Sequence, residues 1–376
     1  MPALALLLLA VWLLAGPVFP GPLEAAAVAF AAAFGLTPVV RILAQRGGAM
    51  DHPDARKPHV LPTPRMGGVA VLSALVLALA RRGPETLDRE LLAIAIAALA
   101  LMLAGAIDDL RGLSARIRLG LQFGCALFVV GAGVRLDLLP GSAGAAVNVV
   151  LTILWLVGIT NAYNFIDGID GLAASLGALI ALLLALVARE GGQADLVRVC
   201  AALSGALLGF LPHNLRRGKP ASVFLGDSGS ASVGFLLAAL AIKEDWAEGD
   251  PLVALATPVL IFSVLIYDMV QTTVARLVSG RVRSFRQWID YVGRDHIHHR
   301  LSALLGGPRR ALVLILSLAL ALGLSALGLR RGRSVEAVMF LVHGVLILLV
   351  FAVLEGAAGK ARDGDASPDG DERAGP

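Results

Sequence analysis

Residues 91–110 read LLAIAIAALALMLAGAIDDL. Nothing from Leu91 to Ile107 carries a charge, and then two aspartates arrive side by side. A run of this length is close to the roughly 20 apolar residues that a helix needs to cross a bilayer. Ionisable groups at membrane depth are costly and usually face a cavity or a partner. The stretch therefore predicts a membrane helix that ends at a polar feature.

Comparable blocks recur along the chain. Spans are predicted near 24–44, 67–80, 92–107, 117–134, 147–163, 171–189, 194–212, 227–242, 252–278, 309–329 and 335–354, eleven in all. The expected fold is an all-α polytopic membrane protein. Composition agrees: of 376 residues 57% are hydrophobic and 16% charged, and the mean hydropathy is +0.79. A soluble domain carries about a quarter charged residues. Leu, Ala, Val and Gly dominate the blocks, as close helix packing in lipid favours. A further apolar block covers 3–19, with no Lys or Arg ahead of it. That is a poor secretory signal, so residues 1–23 are read as an extra hydrophobic segment that spans the membrane. Residues 24–354 form the membrane domain. From about Glu355 to 376 the chain is polar and bears Gly and Pro, which reads as a disordered cytoplasmic tail.

The net charge of +4 is modest, and no soluble basic face exists for a nucleic acid. Both cysteines, Cys125 and Cys200, fall inside apolar blocks and read as packing residues. Alternation puts odd-numbered and even-numbered loops on opposite faces. The loops after spans 1, 3, 7 and 9 hold the larger share of Lys and Arg, so they belong in the cytoplasm. Arg330, Arg331 and Arg333 run against that bias without reversing it.

Five polar clusters interrupt the apolar pattern: DHPDARKPHVLPTPRMGG at 51–68, DDLRGLSARIR at 108–118, NAYNFIDGIDGLA at 161–173, NLRRGKPASVFLGDSGS at 214–230 and GRDHIHHRL at 293–301. On the alternation above, all five reach the cytoplasmic face, which predicts one composite site there. Asp108 and Asp109 could be a helix stop at the headgroups or site acids. In the third cluster Asn161, Asn164, Asp167 and Asp170 recur every third residue and are neighbours wherever the backbone is helical. Gly168 and Gly171 loosen that helix and let backbone approach a ligand. Oxygen-only groups of this kind suit Mg²⁺, which takes one or two protein ligands plus substrate phosphates. Asp227 opens a helix and could equally be a simple cap. The His296–Arg300 run invites a zinc reading, but its basic surroundings favour a phosphate clamp. A secondary transporter or a membrane scaffold would also carry broken helices and buried acids. Acids gathered at one interface, rather than at mid-span, argue for an enzyme.

With these clusters in this order, the chain from about 24 to 354 resembles the polyprenyl-phosphate N-acetylhexosamine-1-phosphate transferases. HIHHR is similar to the WecA and TagO type, whereas muramoyl-pentapeptide relatives usually show three consecutive histidines. The resemblance implies transfer of N-acetylglucosamine-1-phosphate from UDP-GlcNAc to undecaprenyl phosphate with release of UMP, the first membrane step of a cell-envelope polysaccharide pathway; the alternative is the same chemistry with another UDP-N-acetylhexosamine or UDP-MurNAc-pentapeptide. Asn164 and Asp227 match Mg²⁺ ligands, and Mn²⁺ can substitute. Asp108 and Asp109 match an acidic pair that orients or deprotonates the lipid phosphate or helps to hold metal. Asp167 and Asp170 match acids at the nucleotide-sugar site, and Phe224 matches an aromatic packed on uracil. Lys57, Arg118, His298, His299 and Arg300 match basic groups near the diphosphate. Arg118 stands where several relatives have Lys, and the stretch from Asn214 to Phe224 is longer than in muramoyl-pentapeptide members, so Asn214 is not carried over as a nucleotide contact. The implied partners are the UDP-sugar, a polyprenyl phosphate, membrane lipid and, as an assembly the resemblance allows, a second copy of the chain. The implied location is a bacterial inner membrane.

Overall fold

Each of the eleven apolar blocks between 24 and 354 folds as helix, because its backbone groups have no partner in lipid except one another. The computed structural model describes residues 21–53, 61–81, 87–243, 250–291, 293, 295–329 and 332–365. In chain order the helices are α1 (Pro22–Gly47), α2 (Gly67–Ala80), α3 (Arg89–Arg111), α4 (Ala115–Ala132), α5 (Gly141–Ile166), α6 (Leu172–Glu190), α7 (Ala194–Asn214) and α8 (Asp227–Lys243). They continue with α9 (Pro251–Ile261), α10 (Ser263–Val278), α11 (Phe285–Asp290), α12 (Ile297–Leu304), α13 (Pro308–Leu329) and α14 (Ser334–Asp365). Between α1 and α2 lie β1 (Met50–Asp51) and β2 (Thr63–Pro64), an antiparallel pair in the register Met50 to Pro64. Local chemistry sets several ends. Asp88 accepts the Leu91 N–H at 2.8 Å, and Asp250 accepts from Leu252 and Val253, with Pro251 in the first turn of α9. These are N-caps that satisfy otherwise orphaned amides.

Among the described residues, eight helices are long and apolar enough to cross a membrane. The count becomes nine if α9 and α10, bent by 77° at Phe262, form one broken span. The expected eleven segments are all present as helix. However, α2 has 14 residues and α8 has 17, about 21 and 26 Å at 1.5 Å per residue, short of a hydrocarbon core of about 30 Å. Both start late because the chain before them is spent in turns, with Met66 and Gly226 each at φ 76. Their far ends still meet charged partners on neighbouring helices. Lys243, ending α8, lies 2.8 Å from Asp88 and 2.6 Å from Glu90 at the start of α3. Arg81, just past α2, lies 3.6 Å from Glu24 at the start of α1. The last helix runs on to Asp365, so its end falls beyond the boundary expected at Glu355. Residues 3–19 lie outside the described residues.

The buried centre is made by α6, α7 and α8, while α4 and α14 show most of their surface outward. Two glycines let backbones meet around the start of α8. A Cβ at Gly105 of α3 would strike the backbone of Asp227 and Ser228, and one at Gly68 of α2 would strike Gly229. Gly105→Ala should therefore cost about 1–3 kcal/mol, the range for overpacking a filled interior. Thermal unfolding in detergent is the measurement, with Gly120→Ala, which meets no atom within 4 Å, expected to leave stability equal or slightly higher.

Candidate active site

The start of α8 organises the site. Its first amides have no partner within the helix, and Asp109 supplies both acceptors: one carboxylate oxygen takes the Asp227 N–H at 3.0 Å, the other the Ser228 N–H at 3.1 Å. Asp109 is thus a cap donated from α3 to another helix. Asp108 faces the α3–α4 turn, accepting the Leu113 N–H and, at 3.1 Å, an Arg118 Nη1 donor. The same Nη1 reaches Asp227 Oδ1 at 3.4 Å. The two adjacent aspartates therefore have different partners, and Arg118 links Asp108 to Asp227.

The third cluster splits at the end of α5. Asn161 and Asn164 are helical, whereas Asp167 and Asp170 lie in the turn after Ile166. Asn161 is structural, donating to Gln122 at 2.6 Å and to the Val157 carbonyl. Asn164 Nδ2 donates to Asp227 Oδ1 at 3.0 Å and to Ser230 at 2.6 Å. Asp170 accepts the Ala221 N–H at 2.9 Å, which ties this turn to the 215–226 loop. Asn214, with its oxygen on the Gly171 N–H and its nitrogen on the Val223 carbonyl, is buried scaffolding. Phe224 is placed by backbone bonds to Pro64 and Gly67.

These groups border a recess of about 680 Å³. Asp109, Asn164, Asp167, Asp170, Asp227 and Phe224 all line it. Arg65, Arg216, Lys219, Arg309 and His299 line it as well, Arg65 paired there with Asp51. Four of those five bases were not singled out from the sequence. Arg65, Arg216 and Lys219 lie inside the quoted polar clusters, and that membership was the available signal; Arg309 at the start of α13 gave none. Arg309 also holds the loop, donating to the Arg216 carbonyl at 2.8 Å. Asp167 lies between acids, and burial first, then the charges of Asp227, Asp109 and Asp170, push its carboxyl up to about 7. It therefore holds its proton below that pH and ionises above it. Lys57 lies outside the described residues.

The HIHHR run does not act as one clamp. Residues adjacent on a helix point about 100° apart, and α12 sends its members to different neighbours. Before it, His296 Nε2 lies 3.3 Å from an Arg276 Nη2, which can only donate, so the ring proton sits on Nδ1 and is given to Asp268 at 2.8 Å. Asp268 also takes the Ile297 N–H at 2.6 Å. His298 is 1% exposed and packs against Gly168, where a Cβ would collide with its ring. Burial, then the charges of His299, His296 and Arg300, hold it well below the usual histidine range. Both its ring nitrogens are buried without a hydrogen-bond partner among the described residues. Arg300 is turned away from the recess, donating to Gln271 and lying 3.4 Å from Glu355. Of the three, only His299 lines the recess.

Among the described residues, no group of three His, Cys, Asp or Glu is arranged to hold a metal. Asn164 Oδ1 and Asp227 Oδ2 accept no hydrogen bond from the described residues, and both side chains border the recess. Two hard oxygens with room for phosphates and water fit Mg²⁺. Removing the cap by Asp109→Ala should lower stability by about 0.5–2 kcal/mol, as for other N-caps. Asp167→Asn, which gives up no hydrogen bond and relieves like charge, should not lower it. Thermal unfolding of both variants in detergent separates the two acids.

Comparisons with known proteins show the family of the chain. Residues 91–244, which include Asp108 through Asp227, match the family described as glycosyl transferase family 4. A Bacillus subtilis protein named as a probable undecaprenyl-phosphate N-acetylglucosaminyl 1-phosphate transferase is 31% identical over 322 residues, 84% of this chain and 86% of its own length. A Mycobacterium tuberculosis decaprenyl-phosphate N-acetylglucosaminephosphotransferase is 35% identical over 346 residues, 82% of this chain and 84% of its own. A Thermotoga maritima undecaprenyl-phosphate alpha-N-acetylglucosaminyl 1-phosphate transferase is 28% identical over 329 residues, 88% and 97% of the two chains. Similarity of that extent, over more than four fifths of the chain, places it in glycosyl transferase family 4, among the WecA- and TagO-like polyprenyl-phosphate N-acetylhexosamine-1-phosphate transferases.

Proposed function

We propose that this chain transfers N-acetylglucosamine-1-phosphate from UDP-GlcNAc to undecaprenyl phosphate and releases UMP, at the cytoplasmic face of a bacterial inner membrane. The observation that carries this reading is one recess lined both by the acids Asp109, Asp167, Asp170 and Asp227 and by Arg65, Arg216, Lys219, Arg309 and His299. Such a lining can take a polyanion through its bases and a divalent cation through its acids. Phe224 offers a ring for the uracil. An oxygen of the lipid phosphate attacks the β-phosphorus of the donor. The bond from that phosphorus to the oxygen bridging the α-phosphate breaks, and UMP leaves with that oxygen. Positioning and charge neutralisation supply most of the catalysis for a reaction of this type. Asn164 and Asp227 would hold Mg²⁺, which when bound offsets charge on the diphosphate. Arg118, its side chain 41% exposed and bonded to both Asp108 and Asp227, can turn towards an incoming phosphate without leaving the acids unpartnered.

The topology proposed with this function has eleven crossings. Its support is that α2 and α8 begin beside the recess and that their other ends pair with residues at the starts of α1 and α3. Cysteines placed at Ser114 and Arg217, after Cys125 and Cys200 are replaced, should resist impermeant thiol reagents in intact cells and react after lysis. One placed at Ser142 should react in intact cells. The reverse pattern would remove the recess from the cytoplasm and sink the reading.

Purified protein with undecaprenyl phosphate, UDP-GlcNAc and Mg²⁺ should release UMP, stop with EDTA and resume with Mg²⁺ or Mn²⁺. Asp227→Asn should lower kcat/KM more than about a hundredfold, since weakening even outer partners of a metal costs 10–100-fold. The Asp167 carboxyl gives a second readout. With its proton held up to about 7, a cation beside it favours the ionised form, so Mg²⁺ affinity should rise with pH through that value. Adding Mg²⁺ to weakly buffered protein at pH 6.5 (about half a unit below that pKa) should release protons, and Asp167→Asn should reduce the release. Full turnover in chelated, metal-free protein would rule out the proposed chemistry.

A further inference from the structure

The last helix, α14, does not border the recess, yet one of its residues reaches the motif that does. Glu355 has a side chain 7% exposed, at a depth where an unpartnered carboxylate is costly. It accepts a hydrogen bond from the Tyr267 hydroxyl of α10 at 3.2 Å and lies 3.4 Å from Arg300 Nη2 of α12. Tyr267 also packs edge-on against Phe351, one turn earlier on α14, with ring centroids 5.9 Å apart. Arg300 donates as well to Gln271, one turn after Tyr267 on α10. Tyr267, Glu355, Arg300 and Gln271 thus form a chain of contacts joining α10, α12 and α14, and none of the four lines the recess.

An eight-residue helix has little stability of its own, because so few residues do not repay the cost of nucleation. Its rotation is set by what grips it. Asp268 grips the beginning of α12 through His296 and the Ile297 N–H. Buried Ile297 and Leu301 add apolar contact, which fixes which face is inward but resists sliding poorly. The Arg300 group is a polar grip on the body of the helix. Arg300 follows His299 directly, so holding one to the back of α12 fixes the direction of the other. We propose that Glu355 is a positioning residue: through its ion pair with Arg300 it sets the rotation of α12 that points His299 into the recess. This inference rests on the proposed function for its kinetic consequence and on the geometry alone for its structural one.

Two measurements on the full-length protein keep those apart. The first is thiol labelling of Ser302→Cys, half-buried on α12, after Cys125 and Cys200 are replaced. Glu355→Ala should raise its labelling rate about tenfold and Glu355→Asp much less, whatever the substrate is. The second is UMP release from UDP-GlcNAc. Glu355→Ala and Glu355→Gln should lower kcat/KM for the donor about tenfold, mainly through KM, and leave KM for undecaprenyl phosphate unchanged. Glu355→Asp should stay near wild type, and the exchange Glu355→Arg with Arg300→Glu should recover part of the loss that either change causes alone. Unchanged labelling in Glu355→Ala would overturn the proposal. So would losses that fall equally on both substrates with no recovery in the exchange, the pattern of a residue needed only for folding. Absence of UMP release from the wild type would remove the proposed function and leave the labelling to decide the grip.

Discussion

Everything in the recess depends on two hydrogen bonds, those that the Asp109 carboxylate accepts from the Asp227 and Ser228 amides. The first turn of a helix exposes donors that must find acceptors, and in a bundle this apolar there is little water to provide them. A carboxylate from the neighbouring helix satisfies two donors at once and lies at the positive end of the α8 dipole. Gly105, one turn before Asp109, makes that approach possible, since any side chain would push the start of α8 away. With its backbone held this way, Asp227 has its side chain aimed at Asn164 and Arg118 and towards the recess.

Bringing four carboxylates to one wall creates repulsion that each relieves differently. Asp109 has its two amides, and Asp170 has the Ala221 amide. Asp227 has the Asn164 amide group and Arg118. Asp167 has no such partner among the described residues and keeps a proton to about 7 instead. Acids gathered in this way favour whatever cation enters the recess. Of the bases that line it, Arg65 is paired with Asp51, itself a lining residue.

Much of this was legible in the sequence. Uncharged runs became helices because lipid leaves the backbone no other partner, and the polar clusters met because alternation put them at one end of the bundle. What resisted reading was direction. The triplet spacing of Asn161, Asn164, Asp167 and Asp170 suggested one helical face, but α5 stops at Ile166 and the last two turn separately. Asp268, which places His296, sits inside an apolar block and is visible only once α10 packs against the loop. Glu355 stands where composition changes from apolar to polar, so it read as the start of a tail although its side chain is buried. Lengths misled too: α2 and α8 are shorter than a bilayer core, because the turns that build the site consume their first residues.

The histidine run shows why adjacency in a motif implies a common loop and not a common target. Had 296–300 been extended, alternate side chains would have shared a face, and His298 and Arg300 could have bound one anion together. As a helix, the same residues divide among three neighbours: His298 fills the space beside Gly168, His299 faces the recess and Arg300 faces α10 and α14. His298, enclosed, packs against the turn that carries Asp167 and Asp170, while Arg300 ties the helix to residues distant in sequence. The other bases that line the recess, Arg65, Arg216, Lys219 and Arg309, come from three further segments of the chain. A site assembled in this way distributes its specificity over the whole bundle, and the bundle must fold completely before the recess exists.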